Sequence, residues 1–325
     1  HFHGIEIDEW PARIAETAMF MMDRQCDLKL QERFGQAPER LPIQREAKIV
    51  VGNALRIAWT EVLTPSDDVI IAGNPPFLGH KERTAEQTAD LRMAWGSRYA
   101  GYLDYVTGWY AKAVEHLDSY GGRFAFVSTN SVTQGQSVGD LFEPIEAAGW
   151  SVAFAHRPFE WTSEASGSAK VHCVIVGFRR KGARRGPRLY NYANPRAVPE
   201  ESAPPAINGY LVNGPGRYAH KRSTPLSPVL PEVVSGSNPV EWGHLTLAKE
   251  DVARIRERDP VAARFIRPFM GGTDLINGTQ RWCLWLERMT PKDLASSSEL
   301  RARTERVRAD RAASPDAPTR AAATT

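Results

Sequence analysis

Cysteine is scarce in this chain, with three in 325 residues. Cys26, Cys173 and Cys283 are odd in number and widely separated, and no C-x-x-C pair is present, so neither a disulfide framework nor a zinc site is indicated. They read as reduced thiols in the core. Long apolar runs are also missing: no stretch approaches the roughly 18 consecutive apolar residues of a membrane span. The N-terminus lacks the basic, apolar and small-residue order of a secretory leader, which makes a cytoplasmic location the default expectation. A strong charge of one sign is missing too, since 41 Lys+Arg against 38 Asp+Glu leave only +3. No internal repeat is visible. The chain opens at His1, close to a strand, and ends in an Ala/Thr/Arg-rich stretch, and this gives the expectation of a piece of a longer protein.

What is present suffices for two folded domains, with 42% hydrophobic and 9% aromatic residues. Charge is uneven along the chain. Arg179, Arg180, Lys181, Arg184, Arg185 and Arg188 lie together without an acid, and Arg301 to Arg311 holds five arginines against two acids. Such clusters suit phosphate contacts, or else a solvated linker and a solvated helix.

Short β-branched runs bounded by glycine or acids alternate with helical spacing. His3 to Asp8, Lys48 to Gly52, Asp68 to Ala72, Arg123 to Ser128, Val152 to His156 and Val171 to Phe178 read as strands. Pro11 opens one helix, and Tyr102 to Leu117 reads as another. The expected fold is α/β, a doubly wound, mostly parallel Rossmann-like sheet. Its ligands would sit beyond the carboxyl ends of the strands, where Glu6, Asn53, Asn74 and Ser128 to Asn130 fall. His172, inside a strand pattern, reads as a core histidine. Prolines and glycines crowd residues 179 to 240, so a domain boundary is expected near residue 182. The domains would span 1–182 and 183–325, the latter a mixed α+β region with a helix over Leu247 to Phe265 and a strand over Gln280 to Leu286.

One motif carries chemistry. After the apolar run ending at Ala72 comes Gly73-Asn-Pro-Pro-Phe-Leu-Gly79. Methylating an exocyclic amine requires acceptors aimed at its two hydrogens, because the nitrogen lone pair is delocalised into the ring. The Asn74 side-chain carbonyl and the Pro75 backbone carbonyl suit that task. Pro75 and Pro76 fix the direction of the chain, and Phe77 offers a flat base a stacking surface. A base inside a duplex would have to be flipped out to reach it.

This motif, with Gly4 to Ala15, Gly52 to Leu55, Asp104 to Thr107, Phe126 to Ser131 and Val171 to Phe178 in the same order, resembles the class I S-adenosylmethionine-dependent N6-adenine methyltransferases of DNA. More closely, the chain resembles the MmeI-like type IIG restriction-modification enzymes. The resemblance implies transfer of a methyl group from S-adenosyl-L-methionine to a flipped adenine in double-stranded DNA. Asn74, Pro75, Pro76 and Phe77 would be catalytic. Glu6, Ile7, Asn53, Ala54 and Asn74 would hold the cofactor: Glu6 at the ribose hydroxyls, with Asp8 as its rival, and Asn53 at the adenine amine. Leu55 would be an apolar wall there or a core leucine. Phe159 or Trp161 would pack on the flipped base or fill the hole that it leaves. Ser128, Thr129 and Asn130 would shape the pocket or form a local turn.

Ile207 to Val212, Phe265 to Phe269 and Asn277 to Leu286 resemble the target-recognition region of the same family. Trp282 and Trp285 in that region read as core. The glycine-rich turn for the donor's amino-acid end, expected before the first strand, has no counterpart, and Gly121-Gly122 precedes a later strand. The expectation is therefore half a cofactor site and weak donor binding by this stretch alone. Asn-Pro-Pro-aromatic also serves methyltransferases of RNA guanine amines and protein glutamines, and an inactive DNA-binding remnant is a further alternative.

Overall fold

The computed structural model describes residues 2–36, 47–161, 171–183, 185–220, 222, 224–232, 236 and 240–323. Two compact units divide the chain, His1–Ser223 and Thr224–Thr325.

In the first unit, β1 (His3–Glu6), α1 (Glu9–Phe34), β2 (Lys48–Val51), α2 (Trp59–Val62), β3 (Ile70–Gly73), α3 (Ala85–Trp95), α4 (Thr107–His116), β4 (Arg123–Thr129), α5 (Ser137–Ala147), β5 (Trp150–Trp161), β6 (Val171–Arg180), β7 (Arg188–Asn191) and β8 (Glu200–Ser202) follow one another. Helices between strands give the expected doubly wound α/β class. β1 and β2 pair in parallel, Glu6 opposite Val51. A six-stranded sheet runs in the order β3-β4-β6-β5-β7-β8. β3–β4 and β5–β7 are parallel; β6 enters antiparallel between β4 and β5, and β8 antiparallel to β7.

α4 is buried along most of its length, as expected of a helix that is apolar on several faces. Its Tyr110 meets Phe124, Phe126 and Phe178 edge-on at ring-centroid separations of 6.4, 5.0 and 5.9 Å. Phe124 in turn stacks on Phe178 at 5.0 Å. Aromatic pairs in these geometries contribute about 0.5–1.5 kcal/mol each beyond their burial, so this cluster ties α4 to β4 and β6. The 3-10 turn Asn130–Thr133 follows β4 directly.

The boundary expected near residue 182 lies further along the chain. Leu189, Tyr190 and Asn191 pair with β8, and Ile207 and Leu211 join the core of the first unit. Pro187, Pro195, Pro199 and Pro204 thus fall around the short strands β7 and β8. Cys173 is a buried thiol as expected, but Cys26 is exposed on α1 and Cys283 half-buried. His172 is exposed, because the alternation of β6 turns Cys173 inward and its neighbour outward.

The second unit contains β9 (Thr246–Leu247), α6 (Lys249–Arg258), α7 (Pro260–Ala263), β10 (Ile266–Phe269), α8 (Gly272–Asn277), β11 (Arg281–Leu284), α9 (Pro291–Ser296), α10 (Ser298–Ala313) and α11 (Ala317–Ala321). It is the expected mixed α+β region, with an antiparallel sheet ordered β10-β11-β9. Leu247, Ile255, Phe265, Ile266, Leu284 and Leu300 form a core of their own. Trp282 packs against this core, whereas Trp285 is 45% exposed and donates to Glu287, so the core reading holds for only one of the two.

Candidate functional site

Parallel pairing of β3 with β4 sets Gly73 opposite Phe126, so the Asn74 loop leaves the sheet midway along β4, which runs on to Thr129. Asn74 is exposed, and its side-chain amide has no hydrogen-bond partner among the described residues. Pro75 is buried, Pro76 exposed, and Phe77 half-buried against the core. The loop is therefore rooted at alternate residues while its asparagine stays open. Beyond Phe77, Leu78 N donates to the buried carboxylate of Asp104 at 3.1 Å, and Leu78 O accepts from Tyr105 N at 3.0 Å.

The second loop follows β2. Gly52 N donates to Glu6 O at 2.8 Å, which sets Asn53 beside Glu6 at the carboxyl ends of adjacent strands. Glu6 Oε1 accepts from Ile7 N at 2.9 Å and Asp8 N at 3.4 Å; Oε2 has no partner among the described residues. Asn53 Nδ2 donates to Asp90 at 2.8 Å, and its Oδ1 accepts from Leu55 N at 2.9 Å, with one lone pair left over. Asp90, 2% exposed, also accepts from Arg56 Nε at 2.6 Å and Tyr105 Oη at 3.3 Å. Burial and the adjacent Asp90 carboxylate push the Tyr105 hydroxyl up to about 12. Ile7 is 63% exposed and Ala54 half-buried, while Leu55, 1% exposed, is a core leucine.

Ser128, Thr129 and Asn130 divide their roles. Ser128 is fully buried and bonded to Tyr110 Oη at 2.7 Å; Thr129 Oγ1 donates to Asp104 Oδ2 at 3.3 Å; Asn130 accepts from Thr133 Oγ1 within its own turn. Two register shifts along β5, after Val152 and after His156, bend that strand before its aromatic end. Phe159 then lies opposite Cys173, which on its other side faces Thr129. Phe159 is thus level with the end of β4 and two strand spacings away, ~10 Å. Its ring stacks on Tyr192 at 5.4 Å, and His156, held by Tyr192 Oη at 2.7 Å, stacks on Tyr190 at 4.3 Å. Trp161, on the same face two residues on, ends this row and is 38% exposed. A cavity of about 370 Å³ opens nearby, lined by Asn130, Thr133, Arg157, Pro158 and Tyr210 among others.

The basic cluster after β6 is mostly engaged internally. Arg180 donates to the carbonyls of Leu117, Asp118, Tyr120 and Ala148 and lies over the Trp150 ring; Lys181 donates to Glu146 O, and Arg188 pairs with Glu201. Arg184 lies outside the described residues. On α10, Arg303 is bound by Glu299 and His244 O, while Arg306 and Arg308 are exposed. Sequence reasoning did not single out Asp90 or Asp104 as parts of the site. Asp104 belongs to a segment that carries the resemblance, but Leu78 and Thr129, which it joins, are 26 and 25 residues away.

Residues 1–191 match the MmeI DNA-methyltransferase domain family, and residues 213–325 match the MmeI target recognition domain family. The chain is 30% identical over 300 residues to "DNA methyltransferase A" of Bacillus subtilis (strain 168), an alignment covering 91% of this chain and 33% of that protein. A solved structure of the type IIL restriction-modification enzyme MmeI in complex with DNA superposes with a TM-score of 0.78 at 38% identity, covering 99% of this chain and 43% of that one. The chain therefore spans between a third and a half of the length of these relatives. Among the described residues, no helix is long and apolar enough to cross a membrane.

Proposed function

The chain belongs to the MmeI DNA-methyltransferase family, and from that premise we propose that it supplies the base-side half of a methyl transfer to the N6 amine of a flipped-out adenine in double-stranded DNA. One observation carries the reading: Asn74 is exposed, with no hydrogen-bond partner among the described residues, at the carboxyl end of β3, on a loop that buried Pro75 and half-buried Phe77 hold in place. An uncharged acceptor kept free of protein partners is what withdrawal of the amine lone pair from the ring requires. Pro75 O provides the second acceptor, Pro76 keeps the turn open, and Phe77 takes one face of the base. Phe159 and Trp161 stand at the same end of the sheet for the other face.

The donor site fits S-adenosyl-L-methionine at its nucleoside end. Glu6 keeps one carboxylate oxygen for the ribose hydroxyls, Asn53 keeps a lone pair for the adenine amine, and Ile7 and Ala54 flank them. When bound, this group supplies an electrophilic methyl on sulfonium. Asn74 Oδ1 and Pro75 O would orient the amine by accepting hydrogen bonds from its two N–H groups, which draws the nitrogen lone pair out of the ring.

Full-length protein is given tritiated donor with duplex DNA, RNA or protein, and the product nucleosides are separated. Label in N6-methyladenine of DNA is expected. Asn74→Ala is expected to lower the rate by about 100-fold or more, the scale of removing one transition-state contact, without a change in thermal stability. Label in cytosine, RNA or protein, or full activity of Asn74→Ala, overturns the reading.

A further inference from the structure

Three residues at the start of α4, Asp104, Tyr105 and Gly108, link the two loops of the site. Asp104 Oδ1 accepts from Leu78 N at 3.1 Å and Val106 N at 3.2 Å, and its Oδ2 accepts from Thr129 Oγ1 at 3.3 Å. Three donors satisfy a carboxylate that is 6% exposed, so the group is held in a single geometry. Tyr105 N donates to Leu78 O at 3.0 Å. The residue after Phe77 is thus gripped at both its N–H and its carbonyl. In the other direction, Tyr105 Oη donates to Asp90 Oδ2 at 3.3 Å, the same oxygen that takes Asn53 Nδ2 at 2.8 Å. A Cβ built on Gly108 would lie 2.8 Å from Leu55 Cδ2, so the α4 backbone rests directly on the residue two beyond Asn53.

We propose that the Asp104–Gly108 turn sets the spacing between the Asn53 loop and the Asn74–Phe77 loop, with Asp104 a positioning residue for the amine side and Tyr105 one for the donor side. The assignment rests on the reading of Asn74 and Asn53 given above. In-line transfer tolerates little slack, since a misplacement of ~1 Å at the reacting atoms costs ~100-fold. A turn that bonds directly to Leu78 and, through Asp90, to Asn53 fixes this distance without touching either reactant. Its two ends act on different kinetic parameters, which a merely structural role would not separate.

The test uses full-length protein, steady-state methylation of duplex DNA, and 2-aminopurine at the target position to report base extrusion. Asp104→Ala is expected to lower kcat by about 100-fold and to dim the extrusion signal, with donor KM within about twofold of wild type. Asp104→Asn keeps an acceptor for Leu78 N and is expected to recover most of that loss. Tyr105→Phe is expected to raise donor KM about tenfold, the worth of one hydrogen bond in a buried site, with extrusion unchanged. If Asp104→Ala does not fold, Thr129→Val, which removes one of the three bonds, is expected to lower kcat without moving donor KM. Identical changes from the Asp104 and Tyr105 variants, or losses that only track the unfolded fraction, overturn the proposal. Failure of the underlying reading is separate: it appears as activity retained by Asn74→Ala, whatever the Asp104 and Tyr105 variants do.

Discussion

Arg180 lies over Trp150 with its guanidinium carbon 4.2 Å from the ring centroid, and the same group donates to Tyr120 O and Ala148 O at 2.7 Å. These carbonyls follow the ends of α4 and α5, where a fixed cation offsets the unpaired groups of a helix terminus. An arginine that the sequence offers to phosphates thus ties two helices to the sheet.

Replacing it tests that assignment. Hydrogen bonds from a charged group contribute about 1.5–3 kcal/mol each and are not additive, so Arg180→Ala is expected to cost roughly 3 kcal/mol. In a unit of this size that is roughly 6–12 °C in Tm, measured by calorimetry. The salt dependence of DNA binding should not change; a slope reduced by about one would mean that Arg180 meets a phosphate.

The two aromatics at the end of β5 are expected to separate by phenotype. Phe159 lies against Tyr192, so Phe159→Ala should lower Tm. Trp161 ends the row with an open face, so Trp161→Ala should leave Tm alone and weaken binding of duplex carrying an extruded base by about tenfold, within the range of a base–aromatic stack. Fluorescence of 2-aminopurine reads the difference. Equal loss of stability in both variants would remove Trp161 from the site.

Acid sensitivity should begin near neutrality. Burial holds the imidazoles of His116 and His156 below their ordinary value, His116 with help from Lys112. As pH falls, the unfolded chain takes up these protons first, so stability is full above about pH 7 and declines as pH falls through roughly 6.5. The depressed carboxylates of Asp251 and Asp259 act only at lower pH. The urea midpoint is expected to be lower at pH 5.5 than at pH 7.5, and His156→Gln should flatten the difference. A midpoint that rises on acidification would contradict the assignment.

Separate cores imply separate unfolding. Leu300 in the second unit and Leu141 in the first are both fully buried. Leu300→Ala should cost about 2–5 kcal/mol in one calorimetric transition, and Leu141→Ala a similar amount in the other. A common shift of a single transition would refute the independence of the two units.

Local chemistry explains what the sequence made readable. The β-branched run before Gly73 and the tandem prolines after it identify strand and loop without further context, and Glu6 ends, and Asn53 follows, a strand whose composition announces it. The alternation signal fails in Val171 to Phe178 because apolar residues occupy both faces, so nothing local sets His172 outside and Cys173 inside. Proline density conceals β7 and β8, since an edge strand tolerates proline around it. Asp104 and Asp90 act on residues 26 and 37 positions away, and nothing in their own neighbourhood indicates this. Arg180, at the end of β6, was readable as charge, but not as a helix cap, because its acceptors are backbone carbonyls up to 63 residues distant.

The placement of β6 also bears on the order of assembly. β4 and β5 are successive strands in the chain, yet they share no hydrogen bonds; each pairs with β6, which is made after both. Until the ribosome has released Arg180, the half of the sheet that carries Asn74 and the half that carries Phe159 have no backbone connection. The edge that carries the proposed site therefore closes only once β6 is made, and a chain interrupted before residue 171 would expose the aromatic faces of Phe124 and Phe126, with aggregation as the competing fate.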